Sequence, residues 1–195
     1  GSGSGQSAVV QLLLGDAIGD AFGFGIEMQD AYWIRQAITK CNAWPTNPAM
    51  KESHKVNNVR GMYSDDCEMT VAVMNALTKA VDVKEVSEAH LMEAWTDEWN
   101  LAKQRGPPAE PQGERAGHGS IKAFFNGAVT LDALKASQAE REDPGNAPPM
   151  RALPLAFLAP EDCERLCAVN ADATHPHPKA RAASFLVAMA ARYLI

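Results

Sequence analysis

The densest group of side chains able to do chemistry is Tyr63-Ser64-Asp65-Asp66-Cys67-Glu68-Met69-Thr70. Ser64 opens a helical pattern. A helix N-terminus exposes free N–H groups and a partial positive charge, so a capping serine and one first-turn aspartate are stabilising without any ligand. Two adjacent aspartates followed by Glu68 concentrate more negative charge than a cap requires. Hard oxygen donors of this kind suit Mg²⁺, Mn²⁺ or Ca²⁺.

Four further groups carry polar side chains in unusual backbone settings. Gly19-Asp20-Ala21-Phe22-Gly23-Phe24-Gly25-Ile26-Glu27 places Asp20 and Glu27 seven residues apart, on one face if the helix persists. A glycine-terminated helix followed by a surface glutamate is the alternative. Asp143-Pro144-Gly145-Asn146-Ala147-Pro148-Pro149-Met150-Arg151 is a stiff turn that feeds a helix. It either offers backbone amides and the Asn146 side chain to a polar ligand or merely reverses the chain. Gly117-His118-Gly119-Ser120 precedes another helix, where N–H groups could meet phosphate oxygens. In Thr174-His175-Pro176-His177-Pro178 both histidines precede proline, which keeps them extended and out of a helix interior. Metal ligation, ligand contact and helix capping all stay open for them.

Helices must position these groups. Apolar residues at Val10, Leu13, Leu14, Ala17, Ile18 and Ala21 predict a helix over 6–23, with Gly15, Gly19 and Gly23 forming a stripe that a neighbour could approach closely. Met69, Ala72, Val73, Ala76, Leu77 and Ala80 predict a second helix from Ser64, and Leu91, Ala94, Trp95 and Leu101 a third over 84–103. Shorter helices are expected at 120–125, 131–139, 151–157 and 160–169, and a strong one after Pro178. Proline- and asparagine-rich 41–60 and glycine-rich 105–119 read as loops. Trp95 and Trp99 could stack on a base, but the core accounts for them without a ligand. No segment alternates like a strand, so the fold class is all-α.

Composition bounds the function. A length of 195 residues allows one real core. With 46% apolar and 22% charged residues, the chain is neither disordered nor fibrous. A net charge of -6 provides no overall field for nucleic acid, which is therefore disfavoured as a partner. Gly15, Asp16 and Asp20 interrupt the longest apolar run, so no membrane span is expected. Cys41, Cys67, Cys163 and Cys167 lack C-x-x-C spacing, which fits free thiols in a reducing cytoplasm, a cysteine zinc site being the alternative. Residues 1–5 read as a cloning scar or flexible lead and 6–195 as one domain.

Taken together and in this order, the five groups resemble the ADP-ribosylglycohydrolase family, from about Leu12 to the last residue. The opening motif is Gly19-Asp20-Ala21 through Glu27, and Ser64-Asp65-Asp66 is similar to the metal motif, with Cys67 where threonine is usual. His118 stands where the family typically has tyrosine, and Ala147 where it has glycine. The resemblance implies an orthogonal helical bundle that binds Mg²⁺ or Mn²⁺ through Glu27, Ser64, Asp65 and Asp66. Glu27 or Asp66 would manage the proton, while Gly117, His118, Gly119, Ser120, Gly145, Asn146 and His175 would hold the ribose and diphosphate. The implied reaction is removal of ADP-ribose from a modified protein side chain or a small ADP-ribosyl substrate, with arginine-linked ADP-ribose preferred.

Family members also carry a late Asp-x-Asp-Thr type motif that completes a two-metal centre, whereas no Asp or Glu follows Pro178 here. The expectation is therefore a truncated or split protein, with a complementing C-terminal segment covering the apolar helix 182–195. Two other readings compete: an inactive ADP-ribose-binding or protein-interaction module, and a zinc hydrolase built on His175 and His177.

Overall fold

Apolar residues at helical spacing form nine α-helices, and no strand, among the described residues of a computed structural model; these are 2–24, 26–27, 30–40, 63–102, 104 and 119–195, with side chains described outside 2–7 and 37–40. The helices are α1 (Ser2–Phe24), α2 (Ala31–Lys40), α3 (Asp65–Lys79), α4 (Glu88–Ala102), α5 (Ile121–Phe125), α6 (Leu131–Ala139), α7 (Ala147–Met150), α8 (Pro160–Asp172) and α9 (Pro178–Leu194). Two 3₁₀ turns, Val83–Glu85 and Leu153–Phe157, complete the order. The all-α expectation holds. Among the described residues no helix is long and apolar enough to cross a membrane.

Backbone contacts divide the chain into two compact units, a division that the sequence does not announce. The first comprises Gly1–Cys67 with Ala102–Gly117, the second Glu68–Leu101 with His118–Ile195.

In the first unit, α1 begins at Ser2, so the residues expected to be a flexible lead are helical. Ala21 is buried, but Val10, Leu14 and Ile18 are exposed. Among the described residues, nothing lies within 4 Å of where a Cβ would stand on Gly15, Gly19 or Gly23, so the glycine stripe makes no close approach there. The sequence does not predict α2, because Tyr32, Trp33, Ile34 and Thr39 are poor helix formers. Asp30 starts it by accepting the Trp33 N–H at 2.8 Å.

The second unit holds a continuous core. Met69 and Val73 of α3, Leu91 and Trp95 of α4, Ile121 of α5, Leu134 of α6, Leu155, and Leu166 of α8 are almost fully buried. Each such side chain contributes about 1.5–3 kcal/mol by leaving water. Local signals set the helix starts. Thr130 accepts the Ala133 N–H at 3.2 Å to cap α6, and Pro160 opens α8 with Glu161 and Asp162 in its first turn. Helix α9 packs on α8 and buries its small-residue face, Ala180, Ser184, Ala188 and Ala191. Leu186, Met189, Tyr193 and Leu194 on its other side are exposed. Trp95 and Trp99 are each 1% exposed, as core residues should be, and Trp99 stacks on Phe125 with ring centroids 5.0 Å apart.

Candidate functional site

In the first unit the start of α3 is held from a distance. Asp20 of α1 accepts the Ser64 N–H at 2.7 Å and the Cys67 N–H at 3.2 Å on Oδ2, and the Ser64 hydroxyl at 2.7 Å on Oδ1. It thereby satisfies donors that a helix N-terminus leaves open. Ser64 Oγ accepts the Asp66 N–H at only 3.3 Å. The expected serine cap is thus present but secondary to a carboxylate 44 residues earlier.

This arrangement gathers negative charge. Ser64 and Asp65 are buried, and Asp66 is partly so. Desolvation, then the charges of Asp65, Asp20 and Asp16, push the Asp66 carboxyl up to about 7 against the opposing bond from Ser64. Ser64 Oγ has one proton for two carboxylates, Asp20 Oδ1 at 2.7 Å and Asp66 Oδ2 at 3.1 Å. The shorter bond takes it, so a proton on Asp66 completes the longer one. Burial, followed by the same Asp20 and Asp16 charges, also raises the Cys67 thiol, which keeps it neutral.

Glu27 lies just beyond α1, in a turn closed by the Ile26 N–H on the Gly23 carbonyl at 3.0 Å, and it is exposed. Because α1 stops at Phe24, the seven-residue helical register between Asp20 and Glu27 does not apply. The donor chemistry of Ser64, Asp65 and Asp66 fits a hard divalent cation, which would offset the burial and repulsion that raise Asp66. Among the described residues no three His, Cys, Asp or Glu side chains already converge as a ligand set.

The second unit brings Gly145 and His175 together. A Cβ on residue 145 would lie 2.8 Å from His175 Nε2, so glycine is required there by the ring beneath it. The Gly145 N–H is taken by Gln138 Oε1 at 3.2 Å, which removes it as an amide for a ligand. Asn146 is exposed and its side chain makes no cap bond to α7. Lys179, in the first turn of α9, pins this loop through the Glu142 carbonyl at 2.7 Å and Asp143 at 2.8 Å. The ammonium holds the exposed Asp143 carboxyl below its usual range.

The two histidines have separate settings. His175 is 1% exposed, with Nδ1 2.7 Å from Thr174 Oγ1. Desolvation, then the charges of Arg151 and Arg141, push it down to about 4, so it is neutral. His177 accepts the Lys179 N–H at 3.1 Å and caps α9. Gly119 is exposed with φ of 44°, a left-handed conformation that suits glycine, and Ser120 precedes α5 without a side-chain cap bond. Gly117 and His118 lie outside the described residues.

Three residues matter here to which the sequence assigned no site role: Asp16, outside every motif, and Asp20 and Arg151 within them. Asp16 and Asp20 stand four apart on α1, a like-charge spacing that disfavours a helix unless something uses it. Arg151 is fully buried beneath the second unit's surface, 3.6 Å over the Trp95 ring. A family model for ADP-ribosylglycohydrolase matches residues 3–195. Searches of curated proteins and of solved structures found no match.

Proposed function

The chain belongs to the ADP-ribosylglycohydrolase family, whose members are hydrolases, and from that premise we propose that it releases ADP-ribose from a modified protein side chain with the help of Mg²⁺ or Mn²⁺. The observation that carries this reading is the carboxylate group at the start of α3, held by Asp20, where burial and then the charges of Asp65, Asp20 and Asp16 lift Asp66 to about 7. Glu27, Ser64, Asp65 and Asp66 would hold the cation. Bound there, it would supply charge stabilisation as the glycosidic bond breaks.

The chain's own residues do the rest. Asp66, a carboxylate beside the proposed cation, is one candidate to take a proton from the attacking water. Glu27, exposed beside the end of α1, is the other candidate for that proton. Asn146, with an uncommitted side chain, and the bare α-carbon of Gly145 form a surface for the ribose and diphosphate. His175 supports that surface from below, and Gly117, His118, Gly119 and Ser120 form a second phosphate-facing loop in this reading. Arginine-linked ADP-ribose is the preferred substrate because Gly19-Asp20-Ala21 and Ser64-Asp65-Asp66 look most like that branch. The free thiols of Cys67, Cys163 and Cys167 support a reducing, cytoplasmic setting.

The native, full-length protein, incubated with arginine-modified and serine-modified proteins, is expected to release ADP-ribose only with Mg²⁺ or Mn²⁺, and faster from arginine. Binding of ADP-ribose without release from either substrate would instead identify an inactive binding module.

A further inference from the structure

The second unit contains a buried hydrogen-bond chain that runs from Asn170 through Arg151 and Thr174 to His175. Asn170 Nδ2 donates to the Pro148 carbonyl at 2.8 Å and to Ser184 Oγ at 2.9 Å, so its Oδ1 is the atom that faces Arg151. Arg151 Nε donates to that oxygen at 2.8 Å. Its Nη2 donates to the Asn170 carbonyl at 2.9 Å and to Thr174 Oγ1 at 2.8 Å, and Nη1 meets Met69 Sδ at 3.5 Å. All these acceptors are neutral, and the cation lies over Trp95.

A guanidinium only donates. Thr174 Oγ1 must therefore accept from Arg151, which leaves its single proton available to His175 Nδ1 at 2.7 Å. With Nδ1 accepting, the ring proton of a neutral histidine sits on Nε2, the atom that occupies the space a Cβ on Gly145 would need. A glutamine at 151 could donate or accept and would leave the direction open.

We propose that Arg151 is a positioning residue: acting through Thr174, it fixes His175 as the Nε2–H tautomer and so holds the Gly145-Asn146 turn in the shape that receives the ligand. The ligand part of this statement rests on the function proposed above; the tautomer does not. Burial and the neighbouring arginine charges keep the ring neutral, as the assignment requires.

The test is ¹⁵N NMR of the histidine ring in the native, full-length protein, with Gly145 and Asn146 amide resonances reporting the turn and calorimetry with ADP-ribose reporting binding. The expected result is a single Nε2–H tautomer in the native protein, retained in Thr174→Ser and replaced by a mixture in Thr174→Val and Arg151→Gln. Both latter variants should shift the Gly145 and Asn146 amides, and Thr174→Val should weaken ADP-ribose about tenfold, the loss of roughly one hydrogen bond. An Nδ1–H tautomer in the native protein, or an unchanged tautomer in Thr174→Val or in a folded Arg151→Gln, overturns the proposal. If Arg151→Gln does not fold, the two Thr174 variants still decide. A native protein that shows the tautomer and the coupled amide shifts but does not bind ADP-ribose refutes the proposed function and upholds Arg151 as the residue that sets the turn.

Discussion

Replacing Asp66 with asparagine should stabilise the metal-free protein, and only at pH values where the unfolded chain's Asp66 is charged. In the unfolded chain this carboxyl ionises near 3.8, whereas in the folded protein it holds its proton to about 7. Between those values the folded state binds more protons, so stability is fully present below pH 3.8 and is lost as pH rises through about 7. The difference corresponds to about 4 kcal/mol if no part is screened. Water reaches part of the carboxyl, which reduces the figure to roughly 2 kcal/mol. For a chain of this length Asp66→Asn should then melt about 4–8 °C higher than the native sequence at pH 8. The gap should nearly vanish at pH 4. Thermal and urea unfolding with a chelator present, at pH 4, 6 and 8, measures it. An equal gap at all three pH values, or no gap at pH 8, would refute the argument that burial, together with repulsion from Asp65, Asp20 and Asp16, disfavours a charge at this position.

Asp20→Ala removes the acceptor of three hydrogen bonds at the start of α3; despite relieving some repulsion it should cost about 2 kcal/mol in denaturant unfolding. Arg151→Ala leaves Asn170 and Thr174 buried without their donor and should cost about 3–5 kcal/mol, visible as a large drop in urea midpoint. Gly145→Ala pushes a methyl group to 2.8 Å from His175 Nε2 and should weaken ADP-ribose binding measured by calorimetry while leaving circular dichroism unchanged. Cys67, Cys163 and Cys167 are buried with raised thiol pKa values, so a thiol reagent should modify none of the three before unfolding, as mass mapping would show.

Much of the helical framework was legible because it rests on local signals. The apolar period of α3, the Thr130 cap of α6 and Pro178 at the start of α9 each sit within one turn of the element that they define. Helix α2 was not, since its start depends on one aspartate and its sequence is rich in aromatic and branched residues. The metal-type motif was visible as Ser64-Asp65-Asp66, yet its main support, Asp20, acts across 44 residues that no local pattern links. Gly145 was read as a turn glycine, but its need is steric: it is absent from the positive-φ glycines, and the His175 ring fills the space of its side chain. The Arg151 chain depends on side chains from α3, α4, α8 and the turn before α9, so only the fold could reveal it.

The most direct test of the central claim is Mn²⁺ binding followed by electron paramagnetic resonance on the native, full-length protein and on its Asp65→Asn and Asp66→Asn variants. The native protein should bind Mn²⁺ saturably, each substitution should weaken that binding at least tenfold, and Mg²⁺ should compete. Mn²⁺ binding of equal strength in all three proteins, or none in the native one, would contradict that claim.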